Sequence, residues 1–309
     1  MALNVRIGIN PIGWSNDDLP SLGGETPLET ALKEGAEIGY VGFELGNKFP
    51  KTGETLKAKL DEFGVVCVSG WYSAQLGNKD FTVAQEIEAC RQHMEKLAYN
   101  DCKVVVYGEC GDTIQGQINT PLSQRPRFAN DDEWKRYADK LNQFGEHLIK
   151  TYGLQIAYHH HMGAYVEHPN DVAKLMSLTD PKAVGLLFDT GHCWFGQATN
   201  NPEQIIDVTE MLKAHIHRVN HVHCKDVRPA VIRDIRNRNQ SFLNAVLAGA
   251  YTVPSDGAID FDAVLKILSE HNYSGWLVVE AEQDPKLAPS YEYGKKGYDA
   301  LKALVQKYQ

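Results

Sequence analysis

Five short segments of this chain carry side chains that bind metals or move protons, and each lies where an apolar run ends. They are Gly42-Phe-Glu44, Tyr158-His-His-His161, Phe188-Asp-Thr-Gly-His192, His221-Val-His-Cys-Lys-Asp226 and Val279-Glu-Ala-Glu282. Imidazole and carboxylate donors at the carboxyl ends of successive strands are what a parallel barrel needs to hold one divalent cation in its mouth. Alternation along a strand decides which side chains share a face. His221 and His223 share one, with His223 nearer the carboxyl end as ligand and His221 packed or hydrogen-bonded beneath it. Glu280 and Glu282 share another, and Glu280 stands where the apolar run Trp276–Val279 stops. Asp189 ends Val184-Gly-Leu-Leu-Phe188, a run that requires a partner for a carboxylate, either a cation or a neighbouring arginine or lysine. Three successive histidines cannot all reach one ion, because neighbours in a strand diverge. His159 is read as the fourth ligand, with His161 or Glu167 over the substrate; the other reading of the triplet is a polar pocket lining. Oxygen and imidazole donors together suit manganese, cobalt, iron(II) or zinc better than magnesium.

His192, three residues after Asp189 and across a turn, is placed to touch metal-bound water or substrate. Lys225 follows the strand-seven ligand and either donates to a substrate oxygen or pairs with Asp226 at the surface. Candidates for proton transfer are His161, His192, Glu44 and Lys225, with base and acid left unassigned. Asn10 and Trp14 after the first strand, Lys48 near the second and Arg228 after the seventh are candidates to bind the substrate. Plain packing is the other reading of Trp14.

The elements that must position these groups are legible as periodicity. Short β-rich runs recur at Val5–Asn10, Tyr40–Leu45, Val65–Gly70, Lys103–Gly108, Leu154–His159, Val184–Asp189, Val219–His223 and Gly275–Ala281. Between them lie amphipathic segments at Thr26–Ile38, Gly53–Phe63, Thr82–Ala98, Asp131–Tyr152, Pro169–Ser177, Pro202–Ala214, Asp260–Glu270 and Ser290–Lys307. Thr26-Pro27 and Asn201-Pro202 read as helix starts. Strand-then-helix units in this number predict a (β/α)8 barrel, an α/β fold, with a doubly wound sheet as the alternative. The chain reads as one domain over residues 1–309. A long connection at 108–130 follows strand four, and an insertion at about 225–257 follows strand seven, containing a predicted helix at Ala230–Ala248. Arg233, Arg236 and Arg238 on it read as a solvated face.

Thirty-one basic against 40 acidic side chains give a net charge of −9, which disfavours a large phosphate-backbone footprint and hence nucleic acid. Six scattered cysteines without a CxxC pair read as reduced thiols of a cytoplasmic protein. Met1-Ala-Leu-Asn-Val-Arg-Ile7 has no export-signal pattern, and no stretch approaches the roughly 18 apolar residues of a membrane span. No Walker lysine loop, dinucleotide glycine fingerprint or GxSxG elbow is present.

Asp189-Thr-Gly-His192, His221-Val-His223, Asp256-Gly-Ala-Ile-Asp-Phe261 and Trp276-Leu-Val-Val-Glu280 resemble the xylose-isomerase-like barrel superfamily, over essentially the whole chain. Longer motifs resemble the inosose dehydratase family within it: Gly8-Ile-Asn-Pro-Ile-Gly-Trp14-Ser-Asn-Asp-Asp18, Leu22-Gly-Gly-Glu-Thr-Pro-Leu28, Gly42-Phe-Glu-Leu-Gly-Asn-Lys-Phe-Pro50, Tyr158-His-His-His-Met-Gly163 and Val279-Glu-Ala-Glu-Gln-Asp-Pro285. That resemblance implies a lyase of myo-inositol catabolism that removes water from 2-keto-myo-inositol (scyllo-inosose) to give 3D-trihydroxycyclohexane-1,2-dione, with manganese or cobalt required. The related sugar epimerases carry a ligand glutamate at the end of strand five. Histidines stand there in this chain, so the fourth ligand is not transferable. A metal-dependent sugar or inosose isomerase of the same fold is the nearest rival, since it shares the enolate. A DNA-repair nuclease of the superfamily would need histidines on early strands that end here in Glu44 and Trp71. A non-catalytic metal or sugar binder is the remaining class. A thiol (glutathione) requirement, the native metal and homo-oligomerisation are not written in the sequence.

Overall fold

A computed structural model describes residues 3–309. Met1 and Ala2, part of the segment inspected for a leader, lie outside the described residues. Eight parallel strands close a barrel: β1 (Asn4–Ile9), β2 (Gly42–Leu45), β3 (Val66–Ala74), β4 (Val104–Glu109), β5 (Gln155–His159), β6 (Val184–Asp189), β7 (Val219–Cys224) and, after the antiparallel pair β8 (Asp226–Val227) and β9 (Tyr251–Thr252), β10 (Ser274–Val279). Around the barrel the order is β1-β10-β7-β6-β5-β4-β3-β2, so β1 joins both β2 and β10 and no edge remains. Closure excludes the doubly wound sheet.

Alternation builds the interior in layers. Val68, Trp276 and Val278 fill one part, while Val104, Val106, Ala157 and Leu187 pack with Trp71 in another. Two residues beyond Ala157, Leu187 and Val278 stand His159, Asp189 and Glu280, so each polar side chain caps an apolar column of the same strand. Two glycines make room for the indoles. A Cβ at Gly42 would lie 2.6 Å from the Trp276 ring, and one at Gly108 would lie 2.0 Å from Trp71.

The outer helices follow their capping chemistry. α1 (Leu28–Ile38), α2 (Gly53–Asp61), α3 (Val83–Tyr99), α4 (Asp131–Tyr152) and α5 (Pro169–Leu178) lie close to the predicted segments. Asn130 caps α4 by accepting from the N–H groups of Asp132 and Glu133, both at 3.1 Å, and Gly153 ends it at φ 70°. After β6 the expectation fails. α6 (Thr190–Gln197) starts immediately, and α7 (Val208–His215) starts only after Asp207, which caps it through the N–H of Thr209. Pro202 therefore sits in the loop between two helices rather than opening one. The predicted inserted helix is likewise two, α8 (Pro229–Asn237) and α9 (Phe242–Leu247), broken at Asn239, whose φ of 51° no helix accommodates. α10 (Phe261–Glu270) and α11 (Ser290–Tyr308) complete the ring. Among the described residues no helix is long and apolar enough to cross a membrane. All six cysteines are free.

Candidate active site

At the carboxyl end of the barrel one ligand atom from each of His159, Asp189, His223 and Glu280 lies within 4.8 Å of all the others. Barrel register brings them there: Asp189 is directly opposite His223, and His223 opposite Val278, two residues before Glu280. All four are buried.

The hydrogen bonds behind the cluster decide which atoms face inward. His159 Nδ1 is 2.7 Å from the His160 carbonyl, to which it donates, leaving Nε2 3.5 Å from Asp189 Oδ2. His223 Nε2 lies 3.1 Å from both oxygens of Glu44, so it donates there and turns Nδ1 towards Asp189 Oδ2 (3.4 Å) and Glu280 Oε2 (3.1 Å). Asp189 Oδ1 accepts the His192 N–H at 2.7 Å and caps α6, which leaves Oδ2 for the cluster. Asp189 Oδ2 and His223 Nδ1 are completely buried and have no hydrogen-bond partner. Two orphaned lone-pair donors facing two further donors are what a cation would satisfy, so the residues fit a divalent metal. Burial opposes charge on Asp189, but Lys225, His192, His159 and His223 hold its pKa well below the ordinary range. Burial likewise opposes charge on His223, and Glu280 and Glu44 outweigh it.

A second group lies beside the first: His161, His192 and Glu282, again with ligand atoms within 4.8 Å. Lys225, fully buried, joins the two groups. Its ammonium is 2.7 Å from Glu280 Oε1, 2.9 Å from Glu282 and 3.3 Å from His192 Nε2. Burial works against its charge, yet Glu280, Glu282 and Asp189 raise its pKa well above that of free lysine. Burial lifts Glu282 to about 7 against the opposing pull of Lys225. Burial, then His159 and Lys225, depress His161, leaving a neutral ring. That ring donates from Nδ1 to the Met162 carbonyl at 2.9 Å and keeps a lone pair on Nε2.

A cavity of about 550 Å³ opens above both groups, walled by Asn10, Trp71, His159, His161, Glu280 and Glu282 among others. Of the four side chains read as proton-transfer candidates, the structure brings only His161 to its wall. His192 and Lys225 lie one layer behind, in contact with His161 and Glu282. Glu44 is not in the wall either. It receives His221 Nε2 at 2.6 Å as well as His223 and Asn10; burial opposes its charge, yet His223 and His221 hold its pKa well below the ordinary range. Glu44 therefore orients a histidine instead of meeting substrate. Glu167 also departs from expectation. It accepts the Gly163 N–H at 2.8 Å and faces Arg125 and Arg236 at 3.7 and 3.5 Å, away from the cavity wall. Arg228 ties the insertion down by donating to the carbonyls of Gly249 and Tyr251 and to Asp256. Arg236 donates to the Phe195 carbonyl, so it too is structural and not simply solvated.

Asn10 does reach the site, donating to Glu280 at 2.9 Å and Glu44 at 3.1 Å. Lys48 borders the cavity with its ammonium on the carbonyls of Gly24 and Thr26. Trp14 touches the cavity but is only 3% exposed, with its indole N–H on Glu34. The aromatic available to a ring is Trp71, whose edge meets His159 and His161 at 5.6 and 5.7 Å. Sequence reasoning missed Trp71, Glu282, Phe242 and Tyr251. Glu282 was signalled by its parity with Glu280, and Trp71 by its place at a strand end. Phe242 packs on His161 at 4.7 Å and Tyr251 on His192 at 5.4 Å from within the insertion, where no periodic signal exists.

The xylose isomerase-like TIM barrel family matches residues 32–304. An inosose dehydratase of Clostridium botulinum is 43% identical over 96% of each chain. The rhizopine catabolism protein MocC of Rhizobium meliloti is 42% identical over 98% of this chain and 89% of its own. Among solved structures, the IOLI protein with a bound zinc atom superposes with a TM-score of 0.65 at 18% identity, over 98% of this chain and 99% of that one. This chain belongs to the xylose isomerase-like TIM barrel family, in the group that holds the inosose dehydratases.

Proposed function

We propose that this protein is a metal-dependent hydro-lyase that removes water from 2-keto-myo-inositol to give 3D-trihydroxycyclohexane-1,2-dione, acting in the cytoplasm in myo-inositol catabolism. The observation that carries this reading is the pairing of a four-donor cluster, whose two orphaned atoms face inward, with the His161–Glu282 pair on the same cavity wall. His159, Asp189, His223 and Glu280 would hold the metal, and two imidazoles with two carboxylates suit manganese or cobalt. When bound, the metal supplies Lewis-acid stabilisation of negative charge on the ketone oxygen, worth several kcal/mol.

The chain's own residues divide the proton work. His161, neutral and with Nε2 free, takes the hydrogen on carbon beside the ketone. Glu282, with a pKa of about 7, is partly protonated near neutrality and gives a proton to the departing β-hydroxyl. Lys225 sits behind Glu282 as a permanent charge and positions it, while His192 stacks at 4.0 Å from His161 and fixes that ring. The products are one water and an enol that tautomerises to the dione. Trp71 lies against the polyol ring, and the Asn10 amide bridges Glu280 and Glu44 by donating to both.

The test is an assay of purified, manganese-loaded protein on scyllo-inosose, following dione absorbance, with chelator and with His161→Gln. Dione formation that chelator abolishes and manganese restores, together with lost turnover at unchanged metal content in His161→Gln, supports the reading. An inosose isomer accumulating without dione would mean isomerase chemistry instead.

A further inference from the structure

The cavity is larger than a six-membered polyol ring fills, and the side formed by α3 is chemically unlike the metal-ligand cluster. Lys51, His93 and Lys96 all border it there. Lys96 is 8% exposed, and its ammonium meets no carboxylate and no acceptor among the described residues. A lysine covered to this extent loses part of its hydration, a cost that an anion in the cavity would offset. His93 lies three residues earlier, on the same helix face, and keeps a completely buried Nε2 with no partner. The leading charges that act on these two groups are those of lysines. Burial, then Lys96 and Lys51, push His93 down to about 4, and burial with Lys51 lowers Lys96. Carboxylates of the wall face other groups: Asp17 accepts the Asn47 N–H at 2.7 Å, Glu280 and Glu282 hold Lys225, and Asp18, unpaired, has Asp17, Glu280 and Lys225 as its charged neighbours. A recess in which lysines are the leading charges, with an unpaired lysine beside an unpartnered imidazole nitrogen, in a protein of net charge −9, is organised for an anion.

We propose that Lys51, His93 and Lys96 form an anion subsite in this cavity, built for a phosphate group, either free or carried on a polyol. Lys96 supplies a charge-assisted donor, and Lys51, whose ammonium also donates to the Asn47 carbonyl at 2.6 Å, supplies a second. His93 accepts a P–OH proton at Nε2, or takes up a proton as a dianion arrives. The subsite uses none of the four metal ligands, so it stands or falls independently of the dehydratase reading.

The test is calorimetric titration of the metal-loaded full chain with inorganic phosphate and with myo-inositol 1-phosphate, in wild type, Lys96→Met and, as control, Lys150→Met at an exposed site on α4. Saturable binding weakened about tenfold by Lys96→Met and unchanged by Lys150→Met is expected from loss of one charge-assisted donor. Tighter binding of the ester identifies a phosphorylated polyol as the ligand, and equal affinities identify free phosphate. Lys96→Met keeps the unbranched stem of a largely covered side chain that holds no partner, and is expected to fold. Lys51→Gln, at an exposed position, serves as the second variant, with about threefold weakening expected. No saturable binding in wild type, affinity unaffected by either variant, or binding that vanishes with chelator whatever stands at 96 overturns the proposal.

Discussion

Replacing Glu44 by Gln separates orientation from proton transfer. The carboxylate lies 3.1 Å from His223 Nε2 through both oxygens and 2.6 Å from His221 Nε2, with all three side chains buried. Gln keeps the shape and one acceptor but removes the charge that holds the His223 proton outward. A charge-assisted hydrogen bond contributes about 1.5–3 kcal/mol, and about 1.4 kcal/mol is tenfold in affinity, so metal binding should weaken about 10- to 100-fold. Because the folded pKa of Glu44 is depressed, its charge persists above the unfolded value and is lost only as pH falls far below it. The affinity loss should therefore be the same at every pH above about 5. The assay is manganese affinity by chelator competition, alongside kcat at rising manganese. A positioning role predicts that kcat returns to within about threefold of wild type once metal saturates. Unchanged metal affinity, with kcat lost at every manganese concentration, would refute the reasoning and make Glu44 an acid or base.

Three further perturbations bear on the same architecture. Asp189→Asn keeps a capping side chain for α6, and Asp189→Ala removes it. Both should lose metal by elemental analysis, but only the Ala variant should also lose about 1 kcal/mol in denaturant melts; metal retained in either would remove Asp189 from the ligand set. Trp71→Ala should raise KM for inosose about tenfold at unchanged metal content, and Trp14→Phe should leave KM alone while losing about 1 kcal/mol of stability with its bond to Glu34. The reverse pattern would restore Trp14 as the ring platform. Glu109, buried among Tyr107, Tyr137 and the Gly111 N–H, has its pKa lifted by burial to about 7. The folded state thus binds that proton more tightly than the unfolded chain, and stability from this group falls as pH rises from about 4.5 through 7. Urea melts of Glu109→Gln should show a gain over wild type at pH about 8 that vanishes near pH 4; a constant difference would contradict the shift.

The chain's local patterns were enough to place the four candidate ligands at strand ends. Parity within single strands singled out His223, Glu280 and His159, because alternation is a property of the extended backbone and needs no partner, and Asp189 was marked by the apolar run it ends. The eight β-rich runs and the Asn130 cap of α4 are local in the same sense. Where local signals competed, the sequence misled. Asn201-Pro202 has the chemistry of a helix start, yet Asp189 had already begun α6 and Asp207 begins α7. Roles that depend on closing the barrel were out of reach. Glu44 and His223 are 179 residues apart and become neighbours only when β2 and β7 face each other across the interior. The same closure buries Lys225 against Glu280 and Glu282, brings Phe242 and Tyr251 over the histidines, and turns Glu167 and Arg228 to structural work. Which nitrogen faces the cluster, and which carboxylate stands behind it, is decided by contacts between distant segments. Spacing along one strand carries no information about those contacts.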